Sequence, residues 1–176
     1  DESETLLREV HRLRRARLPA AHPSVLEVVH NLGTLAGSRD DYDTACALLT
    51  EAHVGRAEAL GADNQRTLGS LLSLANAQSR SGRLEQAATS FADLLRLAEQ
   101  ATGQKPWFLP HAMACSGLNA VRRGNLAEAV AVLRESLERM RAAVGEDHPR
   151  TRTVREWLRA AEAARAKQAA SPTGDR

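Results

Sequence analysis

Three glycines, Gly61, Gly103 and Gly145, follow one another at equal steps of 42 residues. The same step links Tyr42, Leu84 and Leu126, then Ala45, Ala87 and Ala129, then Leu49, Phe91 and Leu133. Carried backwards it reaches "LPAAHP", where His22 and Pro23 stand three steps before His148 and Pro149. Around two of the glycines the text is almost copied, "LGADNQRT" ending at Thr67 and "VGEDHPRT" ending at Thr151. A fixed period with small and apolar residues in fixed slots restricts the chain to stacked copies of one supersecondary unit, because one copy cannot bury its own apolar face.

Each unit reads as two helices. In "NLAEAVAVLRESLERMRAAVG" the residues Ala129, Val132, Leu133, Ser136, Leu137, Met140 and Val144 fall on one face at alternating steps of three and four. Gly145 stops that helix by accepting the left-handed conformation of a C-cap. The first helix of a unit starts near Pro23, near Pro110 and near Pro149, since proline suits a first turn in which its missing N–H has no bond to make. Asp147 is the expected cap of the last helix. "GEDHPRT" is thus a stop, a turn and a start, and its recurrence is punctuation.

A second mark lies inside each unit. Gly33, Ala75 and Gly117 precede Ala45, Ala87 and Ala129 by equal intervals, and Leu49, Phe91 and Leu133 follow four residues later. Small residues at facing positions let paired helices cross closely, with the larger residue filling the gap beside them. This pattern resembles the tetratricopeptide repeat, and the period with its "G-x-D-H-P" turn resembles the longer variant of kinesin light chains, over roughly Leu18–Ala166. The resemblance implies an all-α fold, a right-handed α-solenoid of about eight helices. Its expected organisation is a second helix of a preceding partial repeat (1–18), repeats at 19–60, 61–102 and 103–144, a capping helix (145–167) and a disordered tail (168–176). The third copy departs from the pattern, with Ser116 where Leu32 and Leu74 stand and a loop, "GQKPWFLPH", that lacks D-H-P. The first copy has Asp40 where Gly82 and Gly124 close the inner turn.

Composition narrows function mainly by exclusion. A net charge of +2 gives no overall field toward nucleic acid or membrane. Only Lys105 and Lys167 among the 24 basic residues are lysines, and most arginines alternate with acids. Cys46 and Cys115 show no metal or redox spacing and read as reduced, buried thiols, which points to a cytoplasmic protein. No apolar run approaches a membrane span of about 20 residues. The start, "DESETLLREV", has no initiator methionine and no leader character, and reads as part of a longer chain. The six histidines lack H-x-x-x-H or H-E-x-x-H spacing, and there is no nucleophile elbow or phosphate loop. The expectation is therefore a protein that is not an enzyme and takes no metal or cofactor.

In the family that the chain resembles, the first helix of each unit lines a concave face on which a partner's extended peptide binds. The corresponding positions here are His30, Asn31, Thr34 and Ser38, then Leu72, Ser73, Asn76 and Arg80, then Ala114, Cys115, Leu118 and Arg122. His111 starts the third such helix. Of these, Asn31, Thr34, Asn76, Arg80, His111 and Arg122 are the candidate peptide-binding set. An amide offers donors and an acceptor to a peptide backbone, and guanidinium offers a fork to a carboxylate, so an acidic peptide is the expected partner. The same residues also suit an ordinary solvated surface. Trp107 and Phe108, side by side among prolines, are either an exposed hydrophobic anchor or a buried plug in the irregular loop. Arg8, Arg12 and the arginines of "RRARL" form a basic stripe, but without stacking aromatics nucleic-acid binding ranks last. Between a partner-binding groove and a second option, a connector or a module that self-associates through its solenoid ends, the groove is favoured.

Overall fold

The computed structural model describes residues 2–170. Among them are eight helices and no strand: α1 (Glu2–Arg15), α2 (Pro23–Ser38), α3 (Tyr42–Leu60), α4 (Gln65–Arg80), α5 (Leu84–Gln100), α6 (Phe108–Arg122), α7 (Leu126–Val144) and α8 (Pro149–Ala170). They form two compact units that divide between Gln104 and Lys105. In the first, α1 to α5 pack each on the next; in the second, α7 packs against both α6 and α8. Because α8 continues through Ala170, the expected tail beginning at 168 starts inside a helix, and its remainder lies outside the described residues.

The copied octapeptides turn out to be one hydrogen-bonded device used twice. Gly61 and Gly145 take φ of 93° and 90°, which only glycine adopts without strain. Three residues on, the next helix is capped by Asn64 Oδ1, which accepts from the Arg66 amide at 2.9 Å. At the corresponding position, His148 Nδ1 accepts from the Arg150 amide at 3.2 Å. Finally Thr67 and Thr151, both fully buried, donate back to the carbonyls of Gly61 and Gly145 at 2.8 and 2.7 Å. The cap of α8 is therefore His148 and not the expected Asp147, the backbone placing the imidazole rather than the carboxylate at the first free amide. His22 does the same for α2, accepting from Ser24 at 3.2 Å. The third copy has Pro106 in this slot and α6 starts without a side-chain cap. Its first turn is tied down from α7 instead, Ser136 donating to the Pro110 carbonyl at 2.6 Å.

The small slots let the paired helices close. A Cβ on Gly33 would lie 2.8 Å from Leu49 Cγ, and one on Gly117 would lie 2.8 Å from Leu133 Cγ. Ala45, Ala75, Ala87 and Ala129 are fully buried, as is Phe91. The apolar face expected on α7 is its buried face, through Ala129, Leu133, Ser136, Leu137 and Met140, and this stripe packs with Val154 and Leu158 of α8. At the inner turns Gly82 and Gly124 both have φ of 81°, and Asp40 follows them into the left-handed region at 63°. Aspartate tolerates that region better than most side chains.

One repeated link is not visible as such in the sequence. Arg14 donates to the Ser24 carbonyl, and Arg56, one period later, donates to the Arg66 carbonyl at 3.1 Å. Each arginine fastens a second helix to the first turn of the helix after it. Ala98 and Met140 occupy the slot in the later copies.

Candidate functional site

In the first unit a cleft of about 210 Å³ lies between α2 and α4. Thr34 and Ser38 line it from α2, and Ser73, Asn76 and Arg80 line it from α4. Leu49 of α3 reaches the floor because Gly33 presents no side chain over it. Thr34 and Ser38 donate their hydroxyl protons to their own helix, to the carbonyls of Asn31 and Leu35 at 2.9 and 2.7 Å. Their oxygens remain acceptors for an incoming amide. Asn76 is half-buried, and its amide makes no hydrogen bond among the described residues. Asn31 is exposed on the same helix as Thr34 but outside the cleft lining.

Arg80 is the charged wall of this cleft. Its guanidinium pairs with Asp40 at 3.2 Å and lies 5.2 Å from the centroid of the Tyr42 ring. Tyr42 in turn donates its hydroxyl to the same Asp40 carboxylate. The departure at position 40 thus has a consequence: the left-handed aspartate holds the arginine and tyrosine at the cleft edge. Its carboxylate hydrogen bond also raises the Tyr42 pKa. The Arg80 side chain is still about half exposed (49%), so a carboxylate ligand can compete with Asp40 for it.

The second unit brings together a different set. His111 of α6 and Arg150, Thr153 and Trp157 of α8 line a cleft of about 150 Å³. Burial, reinforced by the Arg150 charge, lowers the His111 pKa, so the ring is neutral at pH 7 and offers both a donor and an acceptor. The Arg150 guanidinium lies 3.8 Å from the Trp107 ring centroid, Lys105 Nζ lies 5.7 Å away, and His111 meets the indole edge-on at 6.3 Å. Trp107 is half-buried under these groups. Phe108 is only 5% exposed and begins α6 from within the core, the buried one of the two alternatives for this pair. Arg122 is exposed at the last turn of α6 and is not part of the His111 cleft.

Three further groove positions are engaged within the fold, and for Cys115 this is the buried thiol expected of it. Ala114 and Cys115 are buried, the thiol 3.9 Å from His111 Nε2. His30 turns toward α4, where its Nδ1 meets Ser70 Oγ at 3.3 Å. Ser70 also accepts from the buried Arg56 at 2.7 Å. Burial, and then the Arg56 charge, push the His30 pKa down to about 4 against a smaller opposing effect of Glu27. Sequence reasoning does not single out Trp157 or Arg150 as site residues. The signal for Trp157 is its place one period after Cys115, in the series Asn31, Ser73, Cys115, Trp157. Among the described residues no helix is long and apolar enough to cross a membrane.

The tetratricopeptide repeat model matches residues 24–100, and a second tetratricopeptide repeat model matches 117–150. No curated protein sequence matches the chain. Among solved structures, a protein of Podosopora anserina described as a kinesin light chain with nearly identical TPR-like repeats superposes with a TM-score of 0.77 at 20% identity. That match covers 94% of this chain and 79% of the other. A variant of that protein carrying one glutamine-to-methionine substitution gives a TM-score of 0.79 at 20% identity, covering 94% and 78%.

Proposed function

This chain belongs to the tetratricopeptide-repeat family, with a fold of the kinesin-light-chain type, and we propose on that premise that it is a non-catalytic module that binds an extended, acidic peptide of a partner protein. Repeats of this family generally mediate protein–protein interaction. The observation that carries the proposal is the α2–α4 cleft, which gathers Thr34, Ser38, Ser73, Asn76 and Arg80 around an apolar floor at Leu49. Hydroxyl oxygens and a free amide suit a peptide backbone, the floor takes an apolar side chain, and Arg80 takes a carboxylate. In the second unit His111, Arg150 and Trp157 offer a polar and aromatic counterpart. Trp107 supports that wall from behind, while Asn31 and Arg122 extend the polar surface of their helices.

Each charge-assisted contact contributes about 1.5–3 kcal/mol when shielded and well under 1 kcal/mol when exposed. With Arg80 about half exposed and already paired, the lower end of that span applies. Binding therefore weakens with salt, and Arg80→Ala combined with Arg122→Ala weakens it further. A peptide screen followed by titration of its hits against this double variant is the test. If every hit binds the variant as tightly as the parent chain, the groove assignment is wrong.

A second reading is favoured by α1, where Leu6 and Leu13 are 64% and 44% exposed. On that reading α1 packs against another helix, in a larger protein or a second copy, and the module is a connector. The absence of any peptide hit, together with concentration-dependent association lost in Leu6→Ser with Leu13→Ser, would favour it over the groove. The two cysteines, both buried and neither in a disulfide, support a cytoplasmic setting for either reading.

A further inference from the structure

The face of α2 opposite the α2–α4 cleft carries Leu32, Leu35 and Ala36, and these three with Leu48 of α3 form the aliphatic floor of another cleft, of about 380 Å³, between α1, α2 and α3. The rim is basic, with Arg8 from α1 and Arg39 from the end of α2. His11 of α1 completes the lining, and its Nε2 is buried without a hydrogen-bond partner among the described residues. The acid in the lining is Asp41, whose carboxylate is engaged as the cap of α3, accepting from the Thr44 amide at 3.2 Å.

Comparison with the next repeat explains why the space exists. One period after Ala36 and Leu48 stand Gln78 and Ser90. Ser90 donates to Gln78 Oε1 at 2.8 Å, so polar side chains meet across that position. Ala36 is too short to do this and Leu48 has no polar atom, which leaves the first repeat with an open, oily floor under a basic rim.

We infer that this cleft binds a small aliphatic carboxylate. The floor takes the hydrocarbon chain. The carboxylate meets His11 Nε2, a buried nitrogen that is costly to leave unmet, under the charges of Arg8 and Arg39. A guanidinium has five donors, so neither arginine has to leave its existing contacts to take part. The volume lies at the lower end of the range for small-molecule pockets and suits a single short chain. The site is separate from the α2–α4 groove and does not depend on the peptide reading.

Octanoate is the probe, titrated into the full chain and followed by the NMR signal of the His11 ring, which is identified by its loss in His11→Leu. A saturable shift is expected, with a Kd on the order of 1 mM. Octanamide, which lacks the charge, should bind at least about tenfold more weakly. Ala36→Gln, which installs the side chain of the second repeat, should abolish the shift while circular dichroism remains unchanged. Should that variant unfold, Arg39→Ala gives the same test, weakening octanoate but not octanamide. Arg80→Ala should leave octanoate binding as it was. A shift that does not saturate, equal binding of acid and amide, or full binding by a folded Ala36→Gln overturns the inference. So does a capped peptide ending in leucine that binds about tenfold tighter than octanoate, because the ligand would then be a chain terminus rather than a free acid.

Discussion

Adding one methyl group should stabilise the protein at one glycine and not at another. Gly33 and Gly69 both lie inside helices, α2 and α4. On propensity alone, alanine is better than glycine in a helix by about 1 kcal/mol. At Gly69 nothing lies within 4 Å of the new Cβ, so that gain stands. At Gly33 the Cβ meets Leu49 Cγ at 2.8 Å, Leu49 Cδ2 at 3.1 Å and Leu48 Cβ at 3.2 Å. Leu48 Cβ is fixed by the α3 backbone, and Leu49 is itself 2% exposed with little room to turn. Overpacking of this kind costs about 1–3 kcal/mol. Gly33→Ala should therefore be neutral to about 2 kcal/mol destabilising, and Gly69→Ala about 1 kcal/mol stabilising. In a chain of this size each 1 kcal/mol moves Tm by about 2–4 °C. Urea and thermal unfolding followed by helical circular dichroism measure both, and the difference between the variants isolates the packing cost. If Gly33→Ala stabilises as much as Gly69→Ala, α2 and α3 do not cross at this slot, and the small-residue register is wrong for every repeat.

Other perturbations follow from the same contacts. Ala87→Leu, at a fully buried crossing, should destabilise by about 1–3 kcal/mol, and an unchanged melting temperature would contradict it. Thr67→Val keeps the shape but removes the 2.8 Å bond to the Gly61 carbonyl and should cost about 1–3 kcal/mol in urea unfolding. His30 has its pKa lowered to about 4 in the folded state, so the unfolded chain binds more protons there, and stability should fall as pH drops from about 6.5 to about 4. His30→Asn should flatten part of that slope, the remainder reflecting the lowered pKa of His111; an unchanged slope would mean that His30 is accessible to protons. Arg56→Met copies the residue that Met140 supplies two repeats on, and should leave stability within about 1 kcal/mol while an NMR titration finds the His30 pKa raised.

The periodic features of the fold could be read directly from the chain because each is a backbone or volume constraint that recurs. Glycine at 61 and 145 answers a positive φ, and glycine or alanine at 33, 75 and 117 answers a close crossing. What could not be read depends on single side-chain placements. Whether Asp147 or His148 caps α8 is decided by where the helix starts to within one residue, and both residue types can accept from an amide. Arg56 looks like a surface arginine in any periodicity count, yet it is 5% exposed and bonded to Arg66 and Ser70. Phe108 and Trp107 are adjacent and chemically alike, but only the first is buried, a difference set by which side of the α6 start faces the core. At the candidate site the period places Thr34, Asn76 and Arg80 at positions that line one cleft. It does not point to Arg150 and Trp157, which line the cleft of the second unit, because α8 reads as a capping helix.

The central claim, that a partner peptide binds along the first helices, is tested most directly by mapping backbone amide shifts of the full chain while an acidic peptide from the screen is titrated in. The account predicts that the largest saturating shifts fall on α2 and α4, at Thr34, Ser38, Ser73, Asn76 and Arg80. Shifts confined to α1 and the outer faces of α3 and α5, with those groove residues unmoved, would contradict it.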